Sequence, residues 1–88
     1  MKKNDTLALI RNLPCAVCGR SPPSEPDHIR TRGAGGDDSL ANLNPLCRRH
    51  HSERHSAGIL TFLTKYGRGI EKFRILHGLP PMISIKGY

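Results

Sequence analysis

The chain has 88 residues, a formal net charge of +7, and only 36% hydrophobic and 5% aromatic residues. A chain of this length and composition buries a modest core, and small domains of this kind commonly need disulfides or a metal ion for stability. The three cysteines cannot all pair with one another, which excludes a complete disulfide framework and makes a bound metal the expected stabiliser.

The sequence contains no apolar stretch long enough to span a membrane, and we expect no membrane partner. The basic start is followed by a short apolar run at residues 7–10, which is not typical of a signal peptide, so we expect a cytoplasmic protein. The excess of positive charge favours an anionic partner, most simply nucleic acid. Charge alone is also compatible with a small basic protein that gains only solubility from it.

The first half of the chain is predicted to contain a helix and two strands. A short helix is expected to be capped by Asn4 or Asp5 and to end before Pro14. A strand is predicted at residues 27–30, and residues 40–46 are expected to return towards it. The segment between them is rich in glycine and aspartate and is therefore predicted to be a loop.

The second half of the chain is predicted to be helical. A helix is expected for residues 47–56. Apolar residues recur at i, i+3, i+4 and i+7 within residues 59–66, which predicts a second helix with one face in the core. Gly67 and Gly69 are expected to end that helix, and a third helix is predicted for residues 70–77.

Three cysteines and one histidine have the spacing of a structural zinc site. They form two pairs, each with two intervening residues: Cys15 with Cys18, and Cys47 with His50. Tetrahedral zinc takes four such ligands, and a site of this kind contributes directly to folding. The first cysteine pair is also compatible with small buried residues or a redox pair, although no β-α-β pattern surrounds it.

A second group of residues has the chemistry of a catalytic metal site. His51 and His55 are four positions apart, which places both imidazoles on one face of a helix, one turn apart. Asp27 supplies a carboxylate, a ligand suited to Mg²⁺ or Mn²⁺. Such a site leaves positions open for water and a phosphate oxygen, and a nearby histidine could take a proton from attacking water. Taken singly, these histidines are compatible with surface residues and the aspartate with a turn.

The ordered motifs of this region resemble the HNH nucleases of the ββα-metal class. They are Asp27-His28-Ile29, Gly35-Gly36, Asn42-Leu43, Leu46-Cys47 and His50-His51. Three of these residues, His28, Asn42 and His51, match the letters of the family name. The cysteine pairs resemble the zinc-stapled branch of the class, with His50 at a position more often held by cysteine. Residues 27–58 are also similar to small phage-encoded HNH proteins, including those similar to the recombination enhancement nuclease Ref.

The resemblance implies an α+β fold with a small ββα-metal (HNH) core, a structural Zn²⁺ and flanking short helices. We expect a single domain over residues 1–88, with the core motif in residues 15–58 and a helical extension in residues 59–88. The resemblance implies that His28 is the general base and that Asn42 fixes the hairpin loop and the orientation of that base. Asn44 is an alternative candidate for the role of fixing the loop and the base.

The resemblance also implies that Asp27, His51 and His55 hold one divalent cation. Mg²⁺ or Mn²⁺ is expected there, with Ni²⁺ or Zn²⁺ as alternatives. The cation would stabilise charge on the scissile phosphate and on the leaving 3′ oxygen. The products would be a 5′-phosphate and a 3′-hydroxyl.

The arginines near the motif are candidates for contacts to DNA phosphates. They are Arg30, Arg32, Arg48, Arg49 and Arg54, and each is also compatible with a solvated surface charge. The leading interpretation is a metal-dependent DNA endonuclease that nicks or cuts with little sequence preference and works in a bacterial host cell if phage-encoded. The alternative is a non-catalytic, zinc-stabilised nucleic-acid-binding module, or an accessory protein with a phage packaging or recombination partner.

Overall fold

The computed structural model describes residues 3–88, and it has the predicted α+β architecture. The regular elements are, in chain order, α1 (Lys3–Arg11), β1 (Glu25–His28), β2 (Leu43–Leu46), α2 (Arg48–Ala57) and α3 (Ile59–Leu76). Two single-turn 3₁₀ helices, Arg32–Ala34 and Leu40–Asn42, lie in the connection between the strands. Within the described residues, none of the helices combines the length and hydropathy that a membrane span requires.

The two strands form an antiparallel hairpin that leads directly into α2. Pro26 lies opposite Pro45, and the carbonyl of Pro45 points away from β1 to accept the N–H of Ala16 at 2.8 Å. The proline pair therefore occupies a position without ladder hydrogen bonds, where a missing N–H costs nothing. The same contact joins the segment around the first cysteine pair to the outer edge of the sheet. The observed strand β1 begins two residues earlier than the predicted strand at residues 27–30.

The core lies between the hairpin, the first cysteine pair and α3. One buried cluster contains Cys15, Ala16, Leu46, Cys47, Phe62, Leu63 and Ile70, and a smaller one contains Ile10, Leu43 and Leu79. Two cysteines of the expected zinc site are thus core residues, and the smaller cluster seats α1 against the other face of the hairpin. Helix α1 includes Asn4 and Asp5 in its first turn, so the prediction that one of them caps the helix is wrong.

The structure corrects the prediction of two separate C-terminal helices. Helix α3 runs without interruption for 18 residues and passes through both glycines that were expected to end a helix. Gly67 is buried, and a Cβ atom there would collide with the hydroxyl of Tyr88, whereas Gly69 faces open space. A glycine within a helix costs about 1 kcal/mol relative to alanine. Burial of the apolar face of α3 outweighs that cost, because each buried large side chain contributes roughly 1.5–3 kcal/mol.

The buried side chain of Arg74 connects α3 to the hairpin. Its guanidinium donates to the carbonyls of Leu43 at 2.6 Å and Leu40 at 2.8 Å, and to Asn44 Oδ1 at 2.9 Å. Its Nε donates to the carbonyl of Pro80 at 2.9 Å. Burial lowers the pKa of this guanidinium. The four acceptors all lack a formal charge, so Arg74 acts as an internal hydrogen-bond donor that fixes the position of α3.

Replacing Arg74 with methionine should strongly destabilise the fold, because it leaves two buried and two partly buried acceptors without a donor. We expect Arg74→Met to lower the free energy of unfolding by about 3 kcal/mol. The matched control is Arg68→Met, at an exposed position of the same helix, which should change it by less than about 0.5 kcal/mol. Urea denaturation of both zinc-loaded variants measures the difference. Equal stability of the two variants would contradict the role given to Arg74.

Candidate metal centres

The structure brings together the four residues of the predicted structural zinc site. Cys15 and Cys18 lie on a tight turn that Gly19 closes with φ of 75°, while Cys47 caps α2 and His50 lies in its first turn. Their ligand atoms all lie within 4.8 Å of one another, and the three cysteines form no disulfide.

The distances within this cluster fit a tetrahedral ion. The Sγ atoms of Cys18 and Cys47 are 3.8 Å apart, and His50 Nδ1 is 3.2 Å from Cys47 Sγ and 3.8 Å from Cys15 Sγ. Four ligands around zinc, with Zn–S bonds of about 2.3 Å and Zn–N bonds of about 2.0 Å, require S···S separations of about 3.8 Å and S···N separations of about 3.5 Å. The residues present therefore fit zinc.

The surroundings of Cys15 favour an ionised thiol, whereas burial and the neighbouring thiols raise the pKa of Cys18. Burial by itself raises the pKa of Cys15, but backbone N–H groups of Cys18, Cys47 and Val17 donate to its sulfur, and the net effect is a pKa below the ordinary value. A thiolate is the form that binds metal. The ring of His50 packs edge-on against Tyr66, with centroids 5.5 Å apart, so the imidazole is held by α3 as well as by α2.

The second predicted ligand set also converges, on the other side of α2. Asp27 Oδ1 is 3.4 Å from His51 Nε2 and 3.7 Å from His55 Nε2, and the two Nε2 atoms are 3.1 Å apart. Ligands at about 2.1 Å from one cation are separated by about 3.0–3.4 Å in octahedral or tetrahedral geometry. Because the side chain of His55 is 57% exposed, the cluster is open to solvent on one side.

The carboxylate of Asp27 carries an orphaned oxygen at this cluster. The residue is 1% exposed, and its Oδ1 atom has no hydrogen-bond donor. Arg54 Nε lies 3.0 Å from Oδ1 but is aligned to donate to Oδ2, at 3.2 Å. A buried carboxylate oxygen without a donor is costly unless a cation or water satisfies it. This oxygen faces two imidazole nitrogens, and the three ligands together fit a divalent cation.

The position of His51 depends on Glu25, a residue that was not predicted from the sequence. Glu25 Oε1 lies 2.7 Å from His51 Nδ1, and Arg48 Nε lies 3.3 Å from Glu25 Oε2. When Nδ1 donates to Glu25, the lone pair of Nε2 is directed at the ligand cluster. The carboxylates of Asp27 and Glu25 raise the pKa of His51, against the effect of burial. The sequence signal was the i, i+2 spacing of these two acids, which places them on one face of β1.

His28 and Asn42 lie at the loop end of the hairpin. Asn42 is 1% exposed, and its amide donates to the carbonyls of Arg30 and Asp37, at 3.0 and 2.7 Å, while its Oδ1 accepts the N–H of Arg30 at 2.8 Å. These three bonds close the loop directly after His28. The rival residue, Asn44, instead accepts from the guanidinium that anchors α3. His28 Nε2 lies 2.6 Å from Oδ1 of Asp38, a partner that was also not predicted from the sequence.

The five candidate arginines do not share one environment. Arg30 and Arg49 are exposed. Arg48 and Arg32 are also exposed, but Arg48 pairs with Glu25 at 3.3 Å and Arg32 with Asp38 at 3.1 Å. Arg54 is 6% exposed, and the structure corrects its expected role as a phosphate contact. The Arg54 guanidinium donates to the carboxylate of Asp27 and to the backbone carbonyls of the next two residues, 28 and 29. It reaches them because position 54 lies on the face of α2 that packs against β1.

The region that contains both clusters is similar to a known protein family. Residues 15–57 match a family model described as HNH endonuclease. A curated relative, the uncharacterized protein YdfU of Escherichia coli strain K12, is 38% identical over 65 residues. That match covers 70% of this chain but only 18% of the relative, so the chain spans less than a fifth of the relative's length. No solved structure matches the chain significantly.

The thiolate cluster can be tested apart from the second one with Co²⁺ in place of zinc. Thiolate ligands give Co²⁺ charge-transfer absorption in the near ultraviolet, whereas imidazole and carboxylate ligands do not. We expect Cys47→Ser to reduce this absorption by at least about one third, because one of three thiolates is lost. His55→Ala is the matched control and should leave the absorption unchanged. Unchanged absorption in Cys47→Ser would contradict the proposed ligand set.

Gly36, in the loop after His28, has no room for a side chain. A Cβ atom at Gly36 would collide with the carbonyl of Arg30 and lie 2.9 Å from Asn42 Nδ2, whereas a Cβ at Gly33 meets nothing within 4 Å. We expect Gly36→Ala to lower the free energy of unfolding by about 2 kcal/mol and Gly33→Ala by less than about 0.5 kcal/mol. Urea denaturation of the zinc-loaded proteins provides the comparison. Similar values for both variants would show that the loop is not held as described.

Proposed function

We propose that this chain, which belongs to the HNH endonuclease family through its residues 15–57, is a metal-dependent endonuclease that hydrolyses phosphodiester bonds in DNA. The observation that carries the proposal is the orphaned, buried oxygen of Asp27, directed at the Nε2 atoms of His51 and His55. A zinc-stabilised binding module has no need of this second cluster. A phosphodiesterase needs it beside a proton acceptor, and His28 is the next residue in the chain.

The cluster of Asp27, His51 and His55 would hold the catalytic cation. A divalent cation supplies Lewis-acid stabilisation of negative charge on the scissile phosphate and the leaving 3′ oxygen. The two imidazoles suit Ni²⁺ or Zn²⁺, whereas the carboxylate and the open positions for water and phosphate oxygen suit Mg²⁺ or Mn²⁺. Glu25 holds His51 in the orientation that directs Nε2 to the cluster, and Arg54 holds the carboxylate of Asp27 by its other oxygen.

His28 would act as the general base. It accepts the proton of the water that attacks the scissile phosphorus. The bond from phosphorus to the 3′ oxygen breaks, the leaving oxygen takes a proton from solvent water, and the products are a 5′-phosphate and a 3′-hydroxyl. Its side chain is 20% exposed, so water reaches the ring while the hairpin fixes its position. Asn42 contributes indirectly, through the three hydrogen bonds that close the loop after the base.

Contacts to DNA would be made mainly to phosphates. Arg30 follows the base at the hairpin loop, and Arg48 and Arg49 lie at the start of α2, next to the metal ligands. Phosphate contacts carry no sequence information directly, so we expect little sequence preference. The aromatic side chains have other contacts: Phe62 is buried in the core, and the hydroxyl of Tyr66 donates to Glu53. The hydroxyl of Tyr88, a residue that is 51% exposed, donates to Glu71 at 3.3 Å.

We also propose a location in the cytoplasm of a bacterial cell, where zinc-bound thiolates persist. The support is the sequence resemblance of residues 27–58 to phage-encoded HNH proteins. A role as an accessory of DNA packaging or recombination is the second candidate. Ile75 and Leu76, at the end of α3, are 80% and 81% exposed, and such apolar side chains favour a contact with a partner protein.

Supercoiled plasmid, which converts to nicked and linear forms on cleavage, tests the proposed activity. We expect wild type to nick DNA with Mn²⁺ or Mg²⁺, to lose activity in EDTA, and to lose at least about 10²-fold in rate on His28→Ala. The control is His77→Ala, whose ring is exposed at the end of α3 and lies outside both clusters. Circular dichroism of each variant shows that the fold is retained.

The other outcomes separate the competing functions. Equal activity in wild type and His28→Ala would mean that the base is misassigned or that a contaminant cuts the plasmid. Retained DNA binding without cleavage under any metal would favour the non-catalytic module. Restoration of cleavage by a phage or bacterial recombination protein would favour the accessory role.

A further inference from the structure

The glycine- and aspartate-rich loop between the strands contains a buried carboxylate that the proposed catalytic scheme does not use. We propose that this residue, Asp38, is a positioning residue that fixes the tautomer and orientation of His28, so that Nδ1 is the atom that takes the proton from water. The proposal rests on the proposed function of His28 as the base. Its structural part, the tautomer, can be tested without any assay of DNA cleavage.

The contact between the two side chains is short and protected from solvent. His28 Nε2 and Asp38 Oδ1 are 2.6 Å apart, and the side chain of Asp38 is 6% exposed. A hydrogen bond of this length to a carboxylate belongs to the strong, charge-assisted class. It selects one ring orientation of His28, because a rotated ring would remove the donor from the buried acid.

The chemistry of the acceptor decides which nitrogen is free. An ionised carboxylate only accepts hydrogen bonds, so the hydrogen of the neutral imidazole must lie on Nε2. The lone pair is then on Nδ1, the nitrogen nearer the backbone of β1, where Asp27 precedes His28. The arrangement follows the general logic by which a buried acid holds a catalytic imidazole in its working tautomer.

Two further contacts hold Asp38 in place. Arg32 Nη2 lies 3.1 and 3.2 Å from the two carboxylate oxygens, and the hydroxyl of Thr6 donates to the backbone carbonyl of Asp38 at 2.6 Å. The guanidinium balances the charge of a carboxylate that is almost fully buried, which makes its burial tolerable. The threonine belongs to α1, so the N-terminal helix, which lies outside the matched motif, supports the base through this loop.

This arrangement gives Arg32 a role different from that of the other exposed arginines. Its guanidinium is paired with the buried acid behind His28. Arg30, Arg49 and Arg48, whose partner Glu25 is itself exposed, remain the candidates for DNA phosphates. Loss of Arg32 should therefore lower the turnover rate more than it weakens DNA binding.

The neighbouring acid provides a matched control. Asp37 carries the same charge one position earlier, but its side chain is exposed and accepts from the N–H and hydroxyl of Ser39, at 3.1 and 2.7 Å. Substitution of either aspartate by asparagine changes the net charge equally and leaves the backbone carbonyls unchanged. Only the substitution at position 38 places an amide, which can donate as well as accept, against His28.

Long-range ¹H–¹⁵N NMR of the His28 ring in the zinc-loaded protein at pH 8 reports the tautomer directly. We expect the Nε2–H tautomer in wild type and in Asp37→Asn, and a shift towards the Nδ1–H tautomer in Asp38→Asn. In the plasmid assay, Asp38→Asn should lower kcat by about 10²-fold or more with KM within about twofold, and Asp37→Asn should match wild type.

Each other outcome overturns a defined part of the proposal. A wild-type protein with the Nδ1–H tautomer would overturn it without recourse to any variant, which covers the case of an Asp38→Asn protein that does not fold. An unchanged tautomer and kcat in a folded Asp38→Asn protein would also overturn it. Absence of plasmid cleavage by wild type, with the Nε2–H tautomer present, would overturn the proposed nuclease function and leave the assignment of the tautomer standing.

Discussion

The first two turns of α2 supply ligands to two clusters of metal-binding side chains. The other ligands come from the turn that carries Cys15 and Cys18 and from β1. Cys47 and His50 face the turn that carries the other two cysteines, whereas His51 and His55 face Asp27 on β1. The helical repeat makes this division possible, since a rotation of 100° per residue separates neighbouring positions onto adjacent faces. An ion in the first cluster would fix the helix end that presents ligands to the second.

Buried charge in this protein is matched by specific partners, and this explains several residues that composition alone describes only as basic. Arg54 and Arg74 are internal donors that satisfy carbonyls of the hairpin, and Arg32 balances the buried Asp38. The formal charge of +7 therefore overstates the number of cations available to a nucleic acid. The exposed arginines of the hairpin loop and of the start of α2 remain, and they are near the residues of the second cluster in sequence.

The sequence predicted the contacts that depend on local spacing and missed those that depend on the path of the loops. The zinc-like pairs and the i, i+4 histidines followed from counting residues along the chain, and the structure brings both sets together. Asp38 was missed because it belongs to no recognisable motif, and the only signal for Glu25 was its i, i+2 spacing from Asp27. Each acquires its histidine partner only when the hairpin closes. The prediction that a helix ends at Gly67 was wrong, because tertiary packing of α3 outweighs the low helix propensity of glycine.

The sequence by itself therefore determined the chemistry: the ligand types, their grouping into two sets, the α+β class and the resemblance to HNH nucleases. These follow from side-chain identity and short-range geometry, which the order of residues specifies directly. The tertiary structure decided which oxygen of Asp27 is left without a donor, which nitrogen of His28 faces a buried acid, and which arginines are internal. Those outcomes depend on burial and on distances between residues remote in the chain, which exist only after the hairpin, loop and helices pack together.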